Sequence, residues 1–263
     1  MMLSIFIRIK LDKSSLISDL LIKVSISKTL KYCKLKQRTG GVMMKYLLTS
    51  GGVQNASIHQ VLLEMLGKPI EECHAIAITT ASYALKRGMD LAVNFIQGKD
   101  EAPMVDVGWK SVGLLELSAV SVVDPAIWQP AVEQADVILV NGGDPLFLHH
   151  WFVESGFDRL LPQLTGVYVG MSAGSMVLTP RIGTEFVEWQ KTPEQSDATL
   201  GLVDFSIFPH LDHPQLPDNH MQAAKEWSKR LTNPAYAIDD ATAIRVIGSN
   251  VDVISEGNWV KLQ

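Results

Sequence analysis

Between residues 44 and 180 the chain repeatedly sets down a short run that is apolar without alternation: "KYLLTS" (45–50), "HAIAITTA" (74–81), "DVILVNGG" (136–143) and "GVYVGMS" (166–172). A strand of that kind has no solvent face, so both of its sides must be covered. Amphipathic stretches between the runs supply the cover. "SIHQVLLEMLG" (57–67) carries Ile58, Val61, Leu62 and Met65 at helical spacing and stops at Gly67. A helix is expected across 83–97, a further strand at "SAVSVVD" (118–124), and a short helix over 126–134. Asp144 and Pro145 suit the N-cap and first position of the helix behind "VNGG". Strands and helices in this alternation build βαβ units, so the expected fold is α/β: a mostly parallel central sheet with helices on both faces. After about residue 184 the runs shorten to "FSIFPH", "AYAIDD", "AIRVIG", "VDVISEG" and "WVKLQ", with one helix near 219–231. The last three lie so close together that antiparallel hairpins are expected at a C-terminal edge.

Charge sets the first 43 residues apart as a basic extension, with a single α/β domain expected over 44–263. Residues 1–42 hold nine Lys/Arg against two Asp/Glu, a net of +7, so the remainder carries −12 for the chain to reach −5. Arg8 and Lys10 interrupt the only apolar stretch that would suit a secretory signal, and the lysine-rich composition does not suit a transit peptide. "SSLISDLLIKVSI" has a partial apolar face, which leaves an accessory surface helix as one reading of this segment. An acidic body argues against nucleic acid as a partner. No run approaches the roughly 20 apolar residues of a membrane span, so no membrane partner is expected. Two cysteines, Cys33 and Cys73, form neither a disulfide framework nor a metal-ligand pair, and a reducing, cytoplasmic setting is expected.

Chemistry concentrates in "VYVGMSAGSMVLTP" (167–180). A plain tight turn would account for its small residues. So would a nucleophile elbow, in which a serine sits on a strained strand-to-helix turn with its Oγ exposed and very small residues two before and two after it. Gly170 and Gly174 fill those places around Ser172. A serine at its ordinary pKa needs a base, and the base needs an orienting acid. His59 and His74 lie in regular elements; His149 and His150 follow the Gly142-Gly143 turn. His210 directly follows an apolar run and opens "HLDHPQLPDNH", so it is the candidate base, expected with Nε2 within hydrogen-bonding reach of Ser172 Oγ. The same loop allows His210, Asp212 and His213 as metal ligands, but no second ligand cluster matches them. Asp239 and Asp240 end the run "AYAI", and one of the two is expected to point inward. The "VNGGDP" turn also reads as a plain βα turn with a capped helix, but two Gly-rich turns at successive strand ends favour an expected oxyanion hole with N–H donors from Gly143 and Ala173.

Together, "VNGGDPLFL", "GMSAGS" and "FPHLDHP" resemble the Gly-Gly-Asn turn, nucleophile elbow and Pro-His segment of the dipeptidase E and cyanophycinase family of serine peptidases, whose fold is that of the class I glutamine amidotransferases. The resemblance runs through nearly all of 44–263. It implies Ser172 as nucleophile, His210 as general base and Asp240 as third member, where the family often has Glu, with no cofactor or metal. It also implies a small peptide substrate, with a dipeptide bearing an acidic N-terminal residue as the narrower case. Such a residue calls for a cation in the pocket, for which Arg181, Lys191 and His213 are candidates. Asp144 stands where the family has Asn and is a candidate substrate contact. Val187 falls where some members carry an acid, and Ser172 replaces the cysteine of the glutamine-hydrolysing relatives. An ester hydrolase using the same three residues, or a non-catalytic fold binding a small ligand at these turns, are the rival readings.

Overall fold

The computed structural model describes residues 43–99, 102–192 and 196–263. The expectations for the basic extension fall on residues 1–42 and lie outside the described residues. In chain order the strands are β1 (Lys45–Thr49), β2 (His74–Ile78), β3 (Ser111–Leu114), β4 (Val137–Val140), β5 (Val167–Met171), β6 (Ser206–Phe208), β7 (Ala235–Ile238), β8 (Thr242–Ile247), β9 (Asn250–Ser255) and β10 (Trp259–Lys261). Seven of them form one sheet in the order β3-β2-β4-β5-β1-β8-β9. The pairings from β3 to β1 are parallel, and β8 and β9 close the far side as an antiparallel hairpin. The mostly parallel α/β sheet with an antiparallel C-terminal edge is therefore what the chain forms.

Both faces of the sheet are covered, as the unbroken apolar runs require. Along β4, Ile138 and Val140 enter one core cluster and Val137 and Leu139 the other. Helix α1 (Ala56–Leu66) lays Ile58, Val61, Leu62 and Met65 on the second face. It starts where Asn55 accepts the Ile58 N–H and ends at Gly67 in the left-handed region. Helices α4 (Pro125–Glu133) and α5 (Pro145–Ser155) cover the first face through Trp128, Val132, Leu148 and Phe152. Between α1 and α4 come α2 (Gly88–Ile96), preceded by a 3-10 turn over Thr80–Ala84, and α3 (Leu117–Val120). The remaining helices are α6 (Phe157–Leu160), α7 (Ala173–Met176) and α8 (Met221–Ser228).

Two features differ from the sequence expectation. The strand expected at 118–124 is α3 followed by a turn, and the outer strand is instead β3, four exposed residues on the sheet edge. Ser118–Val123 is rich in strand-favouring Val, yet Glu116 caps a helix there by accepting the Ser118 N–H, while Leu117 is buried beneath it. In addition, β10, the last of the three runs expected as edge hairpins, does not join β8 and β9 but pairs with β7 in a second sheet, in the order β10-β7-β6.

Candidate active site

Ser172 follows β5 directly and begins α7 with φ 49° and ψ −112°, a backbone conformation that costs a non-glycine residue about 1–3 kcal/mol. The neighbouring glycines are demanded by contact. A Cβ on Gly170 would stand 2.5 Å from the Gly174 carbonyl oxygen, and one on Gly174 would stand 2.3 Å from that of Val140. The turn is held by bonds on every side. Ser172 N–H donates to Thr49 O of β1, Ser175 Oγ donates to Thr49 O and Gly170 O, and the Tyr168 hydroxyl donates to Gly174 O at 2.5 Å. Burial pushes the Tyr168 phenol well above its ordinary range, so it stays a donor.

The second glycine turn lies at the end of neighbouring β4. Gly143 sits at φ 139°, and a Cβ there would lie 2.2 Å from Ala81 O, which only glycine tolerates. Around the two turns Gly142 N–H donates to Asn141 Oδ1, Asp144 N–H to Ala81 O, and the Ser175 and Met176 N–H groups to Ser172 O. Among the described residues, the N–H groups of Gly143 and Ala173, the expected oxyanion donors, are left without such a partner.

His210 and Asp240 meet beside these turns. The His210 ring Nδ1 lies 2.7 Å from Asp240 Oδ1. Burial pushes the Asp240 carboxyl up, but the hydrogen bond and charge of His210, with help from Ser50 and His213, outweigh it and hold the group below the usual carboxylate range. An ionised carboxylate only accepts, so Nδ1 carries a proton, and in the neutral form of the ring Nε2 has the lone pair. His210 is itself at φ 55°. No hydrogen bond joins Ser172 Oγ to His210 among the described residues; contacts of this kind tighten when substrate binds.

Asp239, the neighbouring acid, faces the other way. Its Oδ1 accepts from Ala241 N–H and the Thr242 hydroxyl, and its Oδ2 from Asn258 N–H, which makes it the organiser of the β7–β8 turn. His213 is brought in, with Nε2 3.5 Å from Asp240 Oδ2. Its Nδ1 accepts the Gln215 N–H at 3.1 Å, so Nε2 is the protonated nitrogen and faces the carboxylate. Asp212 turns toward the start of α8, where Oδ1 accepts the Met221 N–H. Among the described residues no group of three His, Cys, Asp or Glu is placed to hold a metal.

Three other candidates have different partners. Asp144 caps α5, its Oδ1 accepting the Leu146 and Phe147 N–H groups, while Oδ2 accepts the Trp189 N–H from the segment after α7. Burial raises its pKa despite these bonds. Arg181 forks onto Asp197, with Nε at 2.9 Å and Nη2 at 2.6 Å from Oδ1. Lys191 pairs with Glu154 at 3.7 Å. On α5, His150 lies against Trp151 and Trp189.

Sequence reasoning missed Ser50 and Gly51. Ser50, wholly buried one residue past β1, donates to Asp240 Oδ1 at 2.6 Å and accepts the His210 N–H at 2.7 Å. Gly51 lets Asp240 approach, since a Cβ there would stand 2.7 Å from the Asp240 Cβ. The available signal was a polar residue between an apolar strand and a Gly-Gly pair, the arrangement that Asn141 also has before Gly142-Gly143.

A serine on a strained strand-end turn, a histidine oriented by a carboxylate, and two glycine turns with unspent N–H groups are the components of acyl-transfer chemistry. The family model of peptidase family S51 matches residues 46–254, most of the chain. The chain belongs to peptidase family S51. Membership in this dipeptidase E family makes it a serine peptidase. Among solved structures it is similar to a provisionally assigned peptidase E protein from Listeria monocytogenes EGD-e, at 19% identity and TM-score 0.60, covering 82% of this chain and 100% of that one. It is also similar to a peptidase from an acI-B1 Actinobacterium, at 18% identity and TM-score 0.58, covering 86% of this chain and 93% of that one. At these identities the likeness establishes the fold alone. No curated protein sequence matches significantly. No helix among the described residues is long and apolar enough to cross a membrane.

Proposed function

We propose that this S51 member hydrolyses short peptides through Ser172, His210 and Asp240. Ser172 Oγ attacks the scissile carbonyl while His210 Nε2 takes its proton. The Gly143 and Ala173 N–H groups hold the oxyanion, each worth about 10²–10³ in rate. His210 then passes the proton to the leaving amine, the acyl group stays on Ser172, and a water activated by the same imidazole releases it. Asp240 keeps Nδ1 protonated and the ring oriented throughout.

The observation that carries this reading is the strained Ser172 backbone at a strand end whose neighbouring strand leads into the His210–Asp240 hydrogen bond. The reading includes a dipeptide substrate with an acidic first residue, supported by membership of the dipeptidase E family, and a cytoplasmic setting, supported by the near absence of cysteine. It is tested by hydrolysis of an X-Leu dipeptide panel that contains Asp-Leu, with Ser172→Ala beside the wild type and a fluorophosphonate label on both. Turnover that falls by about 10⁴-fold or more in the variant, with label on the wild type alone, is expected. The fastest X identifies the pocket. A folded wild type that neither cleaves the panel nor takes the label overturns the proposal.

A further inference from the structure

We propose that Ser50 is a positioning residue for this reaction, locking the His210–Asp240 pair and tying it to the Ser172 turn. The inference rests on the assignment of those three residues given above. A wholly buried hydroxyl must find partners, and both partners of Ser50 belong to the site. Its proton goes to Asp240 Oδ1, the same oxygen that receives His210 Nδ1–H at 2.7 Å. The terminal torsion of an aspartate is soft, and the His210 bond with the longer 3.5 Å contact of His213 leaves the carboxylate room to rock. The Ser50 bond, from a rigid strand end, removes that freedom. At the same time the Ser50 lone pair accepts the His210 N–H and so secures a backbone held at φ 55°.

Ser50 is also fixed relative to the nucleophile. It follows Thr49, which pairs with Met171 in the β1–β5 register, and Thr49 O accepts the Ser172 N–H. One residue thus stands between the turn that presents Ser172 and the pair that must reach it. Gly51, next along, is the position that a side chain would deny to Asp240.

The test compares Ser50→Ala and Ser50→Thr with the wild type in two readouts. The first is kcat and KM on the best dipeptide of the panel. The second is the downfield proton resonance of the His210–Asp240 hydrogen bond, identified by its loss in His210→Ala. Ser50→Ala is expected to lower kcat about 10²-fold with KM within about twofold, and to shift or broaden the resonance, as a small misplacement of a reacting group does. Ser50→Thr, which keeps the hydroxyl, is expected to recover most of both. If Ser50→Ala does not fold, Ser50→Cys is read in its place, since it keeps the size and is a weak donor. An unmoved resonance with kcat within about threefold of wild type, or a change confined to KM, overturns the proposal. The resonance needs no substrate, so a wild type that cleaves nothing would count against the peptidase assignment while the Ser50 comparison is still decided. Activity that Ser172→Ala abolishes and Ser50→Ala leaves intact would overturn the role of Ser50 alone.

Discussion

At the scale of the residue, the site is built from side chains whose backbone works against the fold. The three non-glycine residues with positive φ among those described are Ser172, His210 and Asp212, and two of them are assigned to the reaction. Strain of this kind persists only where surrounding bonds over-determine it, and at Ser172 the Thr49, Gly170 and Gly174 carbonyls do so through Ser172 N–H, Ser175 and Tyr168. Ser172→Gly and Ser172→Ala both remove the proposed nucleophile, but only glycine relaxes at φ 49°. Strain relief of about 1–3 kcal/mol exceeds the roughly 0.5–1 kcal/mol that glycine loses through the flexibility of the unfolded chain. Ser172→Gly is therefore expected to be the more stable of the two by about 1 kcal/mol in urea denaturation, and both to be inactive; an alanine variant as stable as the glycine one would contradict the strain. Residue spacing made Ser172, Gly143 and Ala173 legible, because small residues at fixed distances are visible in a line of text. Ser50 was missed because its partners lie 160 and 190 positions away, and the Gly-Gly pair beside it reads locally as a plain turn.

At the scale of the element, the helices that point at the site are fixed by their first residues. Asp144 closes the start of α5 with one oxygen and ties down Trp189 with the other. The indole of Trp189 then lies edge-on to Phe147 and near His150, so the segment after α7 leans on α5 through one carboxylate. Asp144→Ala removes the cap and leaves buried N–H groups unpartnered, which is expected to cost about 1–2 kcal/mol and lower the melting temperature. Asp144→Asn keeps one capping oxygen but turns an amide toward the Trp189 N–H, so it is expected to retain most of the stability and to loosen the 184–191 segment. Thermal melts rank the pair, and tryptophan emission of the Asn variant reports the loosening; equal melts for the two variants would mean that the cap contributes nothing. The Asp144-Pro145 start was readable in the sequence because a cap and a first-turn proline are local signals. The edge strand β3 was not, since four exposed residues that include Ser111 and Gly113 lack the apolar continuity that gave away β2, β4 and β5. The segment 118–124 misled for the converse reason: its valines favour a strand, and the helix there is decided by Glu116, which also accepts a hydrogen bond from distant Thr80.

At the scale of the whole molecule, the site lies where two sheets meet, and that arrangement could not be read from spacing alone. Ser50 and Ser172 extend β1 and β5 of the large sheet, whereas His210 follows β6 of the small one, and Asp240 lies in the link between β7 and β8 that passes from one sheet to the other. Short apolar runs announce strands without saying which sheet takes them, so β10 reads as part of the C-terminal edge hairpins although it pairs with β7 in the small sheet. The consequence is that the Asp240 charge binds the sheets together as well as orienting His210, through bonds to Ser50 on one side and His210 on the other. Its pKa is depressed in the folded chain relative to the unfolded one, because those partners outweigh burial. The charge therefore contributes stability above the unfolded carboxylate value of about 4, and that contribution is lost as pH falls from there through the lower folded value. Asp240→Asn has no charge to lose over that interval. Its urea midpoint is expected to lie below that of the wild type at pH 7, and to fall less steeply as the pH is lowered from about 5 to 3, so that the two curves converge toward acid. Parallel curves would mean that the carboxylate has the same affinity for protons in both states, and that the junction between the sheets is held by packing alone.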